Sequence, residues 1–506
     1  MPNSSFPPIT LDRDLAQDVE AALPSAAGTS TNLQASAAAD FTLPLHPRQR
    51  LAHDSPATEI LFGGAAGGGK SHLLRAAAIL WCLRVPGLQC YLFRRQSSDL
   101  QKNHMEGPNA FPALLAPLTD AGLARIRHGG SRIDFDNGSR VFLCHCQYDK
   151  DRFRYQGTEM HLLLVDELTH FTANIYRYLR GRVRLGGLHV PRRFQNLLPR
   201  IICASNPGGV GHNWVKADFV DAAAPLHTVA MPPEEGGMLR QYIPARIEDN
   251  PTLLANDPGY LQRLEGLGDP ALVRAMRMGD RDIVSGGAFD DVWRRDRHVL
   301  PRFEIPTSWR IDRSFDWGSS RPFSVGWWAE SDGTPCAING AERFFPRGTL
   351  IRVAEYYGWN GRPNEGCRLP AVEVARRIRE LEQQLFPGRR VLPGPADSAI
   401  YAVENGSGIA EDMLRAGVDW TKADKRPGSR KSGLEAMRSR LRAVLEAPSE
   451  EPGLYVCESC VHFIRTVPVL PRDPADPDDV DSRAEDHVYD DARYRVMTEK
   501  SFVRAD

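Results

Sequence analysis

The residues best suited to chemistry begin with Gly64-Ala65-Ala66-Gly67-Gly68-Gly69-Lys70-Ser71, which satisfies G-x-x-x-x-G-K-[ST]. In such a loop Gly64, Gly67, Gly68 and Gly69 let backbone N–H groups wrap phosphate oxygens, Lys70 reaches the β and γ phosphates, and Ser71 ligates Mg2+. The chemistry implied is ATP binding and hydrolysis. A partner follows in His161-Leu162-Leu163-Leu164-Val165-Asp166-Glu167, an apolar run that delivers two acids at its end. Asp166 would hold Mg2+ through water and Glu167 would polarise the attacking water. Ser205-Asn206, in Ala204-Ser205-Asn206-Pro207-Gly208-Gly209, offers a polar pair to sense the γ-phosphate, with a simple turn as the other reading. The amide of Gln49 can match both the donor and the acceptor edge of adenine.

A second set of residues suits phosphodiester cleavage, which needs acids converging from separate elements around two Mg2+ or Mn2+ ions. Asp316 ends an apolar run in Phe315-Asp316-Trp317-Gly318, Asp397 follows Val391 to Ala396, and Asp486, Asp490 and Asp491 open a probable helix together with His487. Each acid alone also fits a loop or helix-cap role. Glu355 is a further acid on a middle strand, better suited to a structural part. Two basic clusters, Arg177 to Arg200 and Lys422 to Arg442, read either as solvated faces or as phosphate-contacting surfaces.

These residues need elements to hold them. Thr58–Phe62 reads as a strand, Ser71–Leu83 as a helix and Gln89–Phe93 as the next strand, so the phosphate loop sits between strand and helix as its chemistry requires. Residues 131–141 alternate around Asn137-Gly138, predicting a hairpin whose two turn positions take positive φ. His161–Val165 and Arg200–Ala204 read as buried strands. Helices are expected over 257–263 and 270–278, then Gly286-Gly287 and a charged stretch. A second αβ region starts at Trp309, with strands over 311–315, 323–328 and 350–356 and a helix over 371–385. The expected division is an arm over residues 1–40, a nucleotide-binding domain over 41–290 with a mainly parallel sheet, a linker over 291–308 and a second α/β domain over 309–506.

Composition agrees with two domains: 506 residues exceed one typical core, while 42% hydrophobic and 25% charged residues are ordinary globular values. A net charge of −1 argues against coating nucleic acid through bulk positive charge. No apolar run approaches the roughly 18 residues that span a bilayer, so no membrane partner is expected and a cytosolic location follows. The nine cysteines include the pairs Cys144/Cys146 and Cys457/Cys460, neither with a second pair at zinc-site spacing, and read as reduced thiols.

The motif set Phe62 to Ser71, Tyr155-Gln156-Gly157-Thr158-Glu159 before the Asp166-Glu167 strand, and Ser205-Asn206-Pro207-Gly208-Gly209-Val210-Gly211-His212 resembles the large terminase subunit of tailed bacteriophages. The resemblance covers nearly all of residues 41–500 and implies a P-loop ATPase domain of the ASCE type followed by a ribonuclease-H-like nuclease. It groups Asp316, Asp397 and Asp490 as the metal ligands, with Asp486 and Asp491 as alternatives for the third and His487 on the same helical side. It implies a ring of copies on the procapsid that moves double-stranded DNA and cuts the concatemer, with the portal protein and the small terminase subunit as partners, in the bacterial host cytoplasm. An arginine supplied in trans is also implied, with Arg154 first and Arg152 next; the loop itself holds no arginine, where some terminases carry one. Two rival readings are a host-type ATP-dependent repair helicase-nuclease, whose helicase motifs and second motor lobe are not found, and a C-terminal docking module with degenerate acids.

Overall fold

The computed structural model describes residues 41–266, 273, 276, 277, 279, 287–404, 407–446 and 450–498. The expected arm over 1–40, most of the helix expected over 270–278, and Gly286 lie outside the described residues. The chain divides into two compact units, Met1–Pro207 with Val215–Arg281, and Gly208–Trp214 with Asp282–Asp506.

In the first unit β1 (Glu59–Gly64), β2 (Gln89–Arg94), β3 (Ala124–Arg127), β4 (Arg132–Phe135), β5 (Arg140–His145), β6 (Leu162–Val165), β7 (Arg200–Ser205), β8 (Thr228–Ala230) and β9 (Leu239–Ala245) form one sheet, ordered β3-β4-β5-β2-β6-β7-β1-β9-β8. The strands from β5 to β9 in that order run parallel, and antiparallel pairs finish both edges. Every residue of β1, β6 and β7 is buried, as parallel strands covered on both faces require. Strand β7 separates β1, which feeds the phosphate loop, from β6, which carries the acids. That inserted strand is the ASCE arrangement.

Helix α1 (Pro47–His53) and helix α2 (Lys70–Arg84) pack on this sheet, α2 being buried on nearly all sides from Leu73 to Cys82. Arg200, in the cluster that reads as either a solvated face or a phosphate-contacting surface, is instead fully buried. Its guanidinium donates to the carbonyls of Ala52, His53, Ser55 and Ala57 at 2.9–3.2 Å and lies over the Trp81 ring. Burial pulls its pKa down to about 10. Arg180 of the same cluster turns inward to the buried Glu59. Arg177 approaches Asp218 and Arg184 approaches Glu159.

Two local expectations change. In the β4–β5 hairpin only Gly138 takes a positive φ, 83°, because Gly138 N–H bonds the Phe135 carbonyl at 3.0 Å and Asn137 is held by its own side chain, which donates to Cys82 O and accepts from Ser139 N–H. This is a type I turn closed by a left-handed glycine. The helix expected over 257–263 forms as two pieces, Pro251–Asn256 and Tyr260–Glu265. Asp257 precedes Pro258 and is extended at φ −143°, where proline disfavours helix.

In the second unit β10 (Val299–Leu300), β11 (Arg310–Asp316), β12 (Ser324–Glu330), β15 (Leu350–Tyr357), β16 (Pro395–Ala396), β19 (Thr421–Lys422) and β20 (Leu454–Cys457) form a sheet ordered β10-β20-β15-β12-β11-β16-β19, beside two hairpins, β13 (Cys336–Ile338) with β14 (Ala341–Arg343) and β17 (Val403–Glu404) with β18 (Ser407–Gly408). Strands β11, β12 and β15 pair antiparallel, and β11, β16 and β19 parallel. Read from β15 to β19 this is the 3-2-1-4-5 order of a ribonuclease-H-like sheet. Helices α3 (Ala371–Leu385), α4 (Ser429–Leu445), α5 (Val461–Thr466) and α6 (His487–Met497) complete it. Val292 and Leu300 are buried in this unit, as are Ala288 and Phe289 just before them, so the stretch expected as a linker over 291–308 is anchored to the core by these apolar side chains.

All nine cysteines lie in described residues and none forms a disulfide. Among the described residues no helix is long and apolar enough to cross a membrane.

Candidate active sites

The first site is built on the turn from β1 to α2. Gly67 and Gly69 take φ of 72° and 75°, a left-handed conformation that side chains disfavour, and this brings the loop over the start of α2. A Cβ on Gly63 would collide with the Ser205 carbonyl, so the loop also needs glycine to pass β7. Gly64 takes φ 140°; Gly68 lies close to Ala245. The first N–H groups of α2 have no acceptor within the helix and face the loop with the positive end of its dipole. Lys70, buried, reaches back to the Ala65 carbonyl, and Ser71 is half-buried in the first turn.

Gln49 is buried. Its Nε2 donates to Gly69 O at 2.8 Å and its Oε1 accepts from His46 N–H at 2.9 Å, so the amide ties the loop to α1. Asn250 does the same from the other side, donating to Gly67 O at 2.6 Å.

Asp166 follows β6 and is buried. It accepts from His104 Nε2–H at 3.0 Å and from Arg94 Nη1 at 3.1 Å; His104 ends helix Ser97–His104. Burial pushes its carboxyl pKa up, but the His104 hydrogen bond and the charges of His104, Arg94 and Lys70 outweigh this and hold it below the usual range. Asp166 is therefore an anion. Glu167 sits at φ 56°, ψ 60°, a left-handed position that costs a non-glycine residue about 1–3 kcal/mol. It accepts from the Asn206 backbone N–H at 3.2 Å and from Asn206 Nδ2 at 3.0 Å. Ser205 donates to Thr169 Oγ1 at 3.0 Å. The pair expected to sense phosphate thus clasps the segment carrying the acids. Arg154 is exposed and pairs with Asp151 at 3.3 Å, whereas Arg152 is folded onto Asp149. His104, Arg94 and Asn250 belong to no contiguous motif, and only the fold brings them in.

The second site lies at one end of the β11 sheet. Phe315 pairs with Ala396 in parallel strands, and Asp397 N–H bonds Phe315 O at 3.0 Å, so Asp316 and Asp397 leave adjacent strands side by side. Helix α6 packs on β11. From it Tyr494 donates to Asp316 Oδ1 at 3.2 Å and His487 Nδ1 approaches Asp316 Oδ2 at 3.3 Å. His487 Nε2 faces Asn364 Oδ1 at 3.0 Å. Burial lowers the His487 pKa, but Asp316 and Asp486 more than compensate and raise it, favouring imidazolium. Asp316 is pushed up to about 6 by burial, with Asp490 and Asp397 adding to the rise and His487 opposing it. Asp486 is pushed up to about 7 by burial and by Asp490 and Asp316. Carboxylates crowded in this way, offering hard oxygen donors, fit Mg2+ or Mn2+. Among the described residues no three His, Cys, Asp or Glu side chains already stand at ion-ligating spacing; Asp397 is drawn to Lys425 at 2.5 Å and Asp490 to Arg493 at 2.8 Å.

The candidates for the third acid separate. Asp491 is fully buried and accepts from both terminal nitrogens of Arg352 and from the hydroxyls of Ser314 and Ser324, which leaves it a structural counter-ion. Asp490 faces the site. Glu355 accepts from the N–H groups of His462 and Phe463 and caps α5. Because Arg352 has no exposure and would keep only Glu355, at 3.4 Å from its Nε, Asp491→Ala leaves both terminal nitrogens without their carboxylate and is expected to cost about 3 kcal/mol. Urea unfolding followed by tryptophan fluorescence checks this, and a loss below about 1 kcal/mol would contradict the structural role. Tyr494, four positions after Asp490 and seven after His487, shares their helical face, a periodicity the sequence carries. Lys425 belongs to the Lys422 to Arg442 cluster, but nothing local pairs it with Asp397. Within the second basic cluster Arg438 is held by Asp291 at 2.6 Å and Lys431 by Asp476 at 2.8 Å.

The family described as "Terminase large subunit, T4likevirus-type, N-terminal" matches residues 61–296. The large terminase of a thermophilic bacteriophage in complex with ADP is similar in structure, with 15% identity and a TM-score of 0.37 over 90% of this chain and 99% of that one. The P22 large terminase nuclease domain matches at 16% identity and a TM-score of 0.29 over 42% of this chain and 91% of that one. The Thermus phage P74-26 large terminase ATPase domain matches at 13% identity and a TM-score of 0.33 over 47% of this chain and 94% of that one. No curated protein matches. Residues 61–296, which carry both the phosphate loop and the acidic strand that faces it, thus match the N-terminal part of the large terminase subunit family.

Proposed function

We propose that the chain is the motor subunit of viral DNA packaging: it hydrolyses ATP to drive double-stranded DNA into a procapsid and cuts the concatemeric genome. The observation that carries this is the pairing within one chain of a phosphate loop opposed by Asp166 and Glu167 with a ribonuclease-H-like sheet that ends in adjacent acids. Further copies in a ring, the portal protein and the small terminase subunit are the partners, met in the bacterial host cytoplasm at the portal vertex.

In this reading Gly64, Gly67, Gly68, Gly69 and Lys70 bind the phosphates, and Ser71 and Asp166 hold Mg2+. Glu167 orients the attacking water, and Asn206, hydrogen-bonded to it, passes the state of the γ-phosphate to β7 through Ser205. Gln49 keeps one N–H and one lone pair to meet adenine beyond those it spends on the loop. Arg154, exposed, reaches the nucleotide of a neighbouring copy. At the second site Asp316, Asp397 and Asp490 would hold two Mg2+ or Mn2+ ions, which supply an activated water and charge neutralisation at the phosphodiester. Tyr494 and His487 fix the Asp316 carboxylate, and the two activities are assigned to the unit that ends at Arg281 and to the unit that resumes at Asp282.

Displacement of a triplex-forming strand from linear duplex tests the motor. ATP is expected to drive displacement and a non-hydrolysable analogue to support none; displacement equal in the two would remove translocation from the reading.

A further inference from the structure

Two of the three acids assigned to the metal site are each held by a cation from the wall of one cavity of about 370 Å3 at the start of α4. Lys425 Nζ lies 2.5 Å from Asp397 Oδ1. Arg493 donates to Asp490 Oδ1 from Nε and Nη2 at 3.0 and 2.8 Å, and Arg430 Nη1 approaches Asp490 Oδ2 at 3.9 Å. The Tyr494 hydroxyl, whose ring lies 5.5 Å from Lys425 Nζ, bonds Asp316. The cations and the acids are thus each other's counter-ions across one small space.

These pairs use carboxylate oxygens that a divalent ion would need. The same ammonium and guanidinium groups are the donors that a backbone phosphate entering the cavity would take. The three cations differ in freedom. The Arg493 side chain is 2% exposed, and Arg430, though 35% exposed, is tied to Asp479 at 2.8 Å; Lys425 is 37% exposed and sits on a flexible stem with a compact charge. Lys425 is the group able to change partners.

We propose that Lys425 is a built-in competitor for the metal site and that a nucleic-acid backbone phosphate in the cavity draws it off Asp397, so that phosphate and divalent cation bind with positive coupling. This rests on the nuclease reading of the acids. Its consequence is a cleavage site that assembles on DNA, with little metal held before substrate arrives. Linkage makes the coupling reciprocal: the metal strengthens phosphate binding by the same factor as phosphate strengthens metal binding.

The test is Mn2+ binding to the full chain without nucleotide, read by electron paramagnetic resonance of free Mn2+, with and without a short blunt DNA duplex. In the wild type the duplex is expected to tighten Mn2+ binding about tenfold, within the usual range for coupled sites. In Lys425→Gln, Mn2+ binding without duplex is expected to approach the tighter value, and the effect of duplex to shrink to about twofold or less. Equal Mn2+ affinity of Lys425→Gln and wild type without duplex, or equal tightening by duplex in both, would overturn the competitor role. Asp397→Asn separates the two failures. If it abolishes Mn2+ binding while Lys425→Gln changes nothing, only the coupling falls; if it leaves Mn2+ binding intact, the metal-site reading falls and the coupling with it.

Discussion

Glu167→Gln is expected to lower ATP hydrolysis by about a hundred- to ten-thousand-fold, the usual worth of a positioned general base, while nucleotide binding and metal-dependent DNA cleavage persist. The expectation follows from geometry. Glu167 is the residue after the buried anion Asp166, it is held in a left-handed backbone conformation, and Asn206 grips both its carboxylate oxygens. Gln keeps the shape and an oxygen for Asn206 to bond but cannot take a proton. Steady-state phosphate release, with nucleotide affinity measured separately, checks it. Hydrolysis within about threefold of wild type would remove Glu167 from the chemistry, since that amounts to less than 1 kcal/mol of barrier.

Asp316→Asn is expected to reduce DNA cleavage by about a thousandfold, since metal-assisted stabilisation of several kcal/mol is lost at tenfold per 1.4 kcal/mol, and to leave ATP hydrolysis unchanged. Asp316 stands between Tyr494, His487 and the strand neighbour Asp397, so every arrangement of the acids passes through it. The substitution is isosteric and the fold should persist. Plasmid nicking in Mn2+ measures the effect, and cleavage at the wild-type rate would place the nuclease centre elsewhere.

The two sites were legible to different degrees, for physical reasons. The phosphate loop is local: eight consecutive residues set the turn, the helix start and the ligands. The acidic pair after β6 is nearly as local. The second site depends on pairing that no local pattern encodes. Asp397 is beside Asp316 only because a strand of two residues, Pro395–Ala396, joins β11 in parallel. Asp490 and Asp491 are adjacent in sequence, yet on a helix neighbours point about 100° apart. One faces the cavity and the other enters the core to meet Arg352. Charge clusters misled in the same way, since Arg200 and Arg438 are buried and bonded to backbone carbonyls within the fold. The stretch taken for a linker is rich in charge, but its Val292 and Leu300 are what the second core takes in. Gln49 also braces the loop, a role visible only once α1 is set against Gly69.

If one chain carries two chemistries at two sites, as proposed, each can be removed without the other, and this is measured by ATP hydrolysis and plasmid cleavage followed in the same reaction for the wild type, Glu167→Gln and Asp316→Asn. The expected result is a crossover, with Glu167→Gln losing hydrolysis and keeping cleavage, and Asp316→Asn losing cleavage and keeping hydrolysis. Loss of both activities in each variant despite intact folding, or loss of neither, would contradict it.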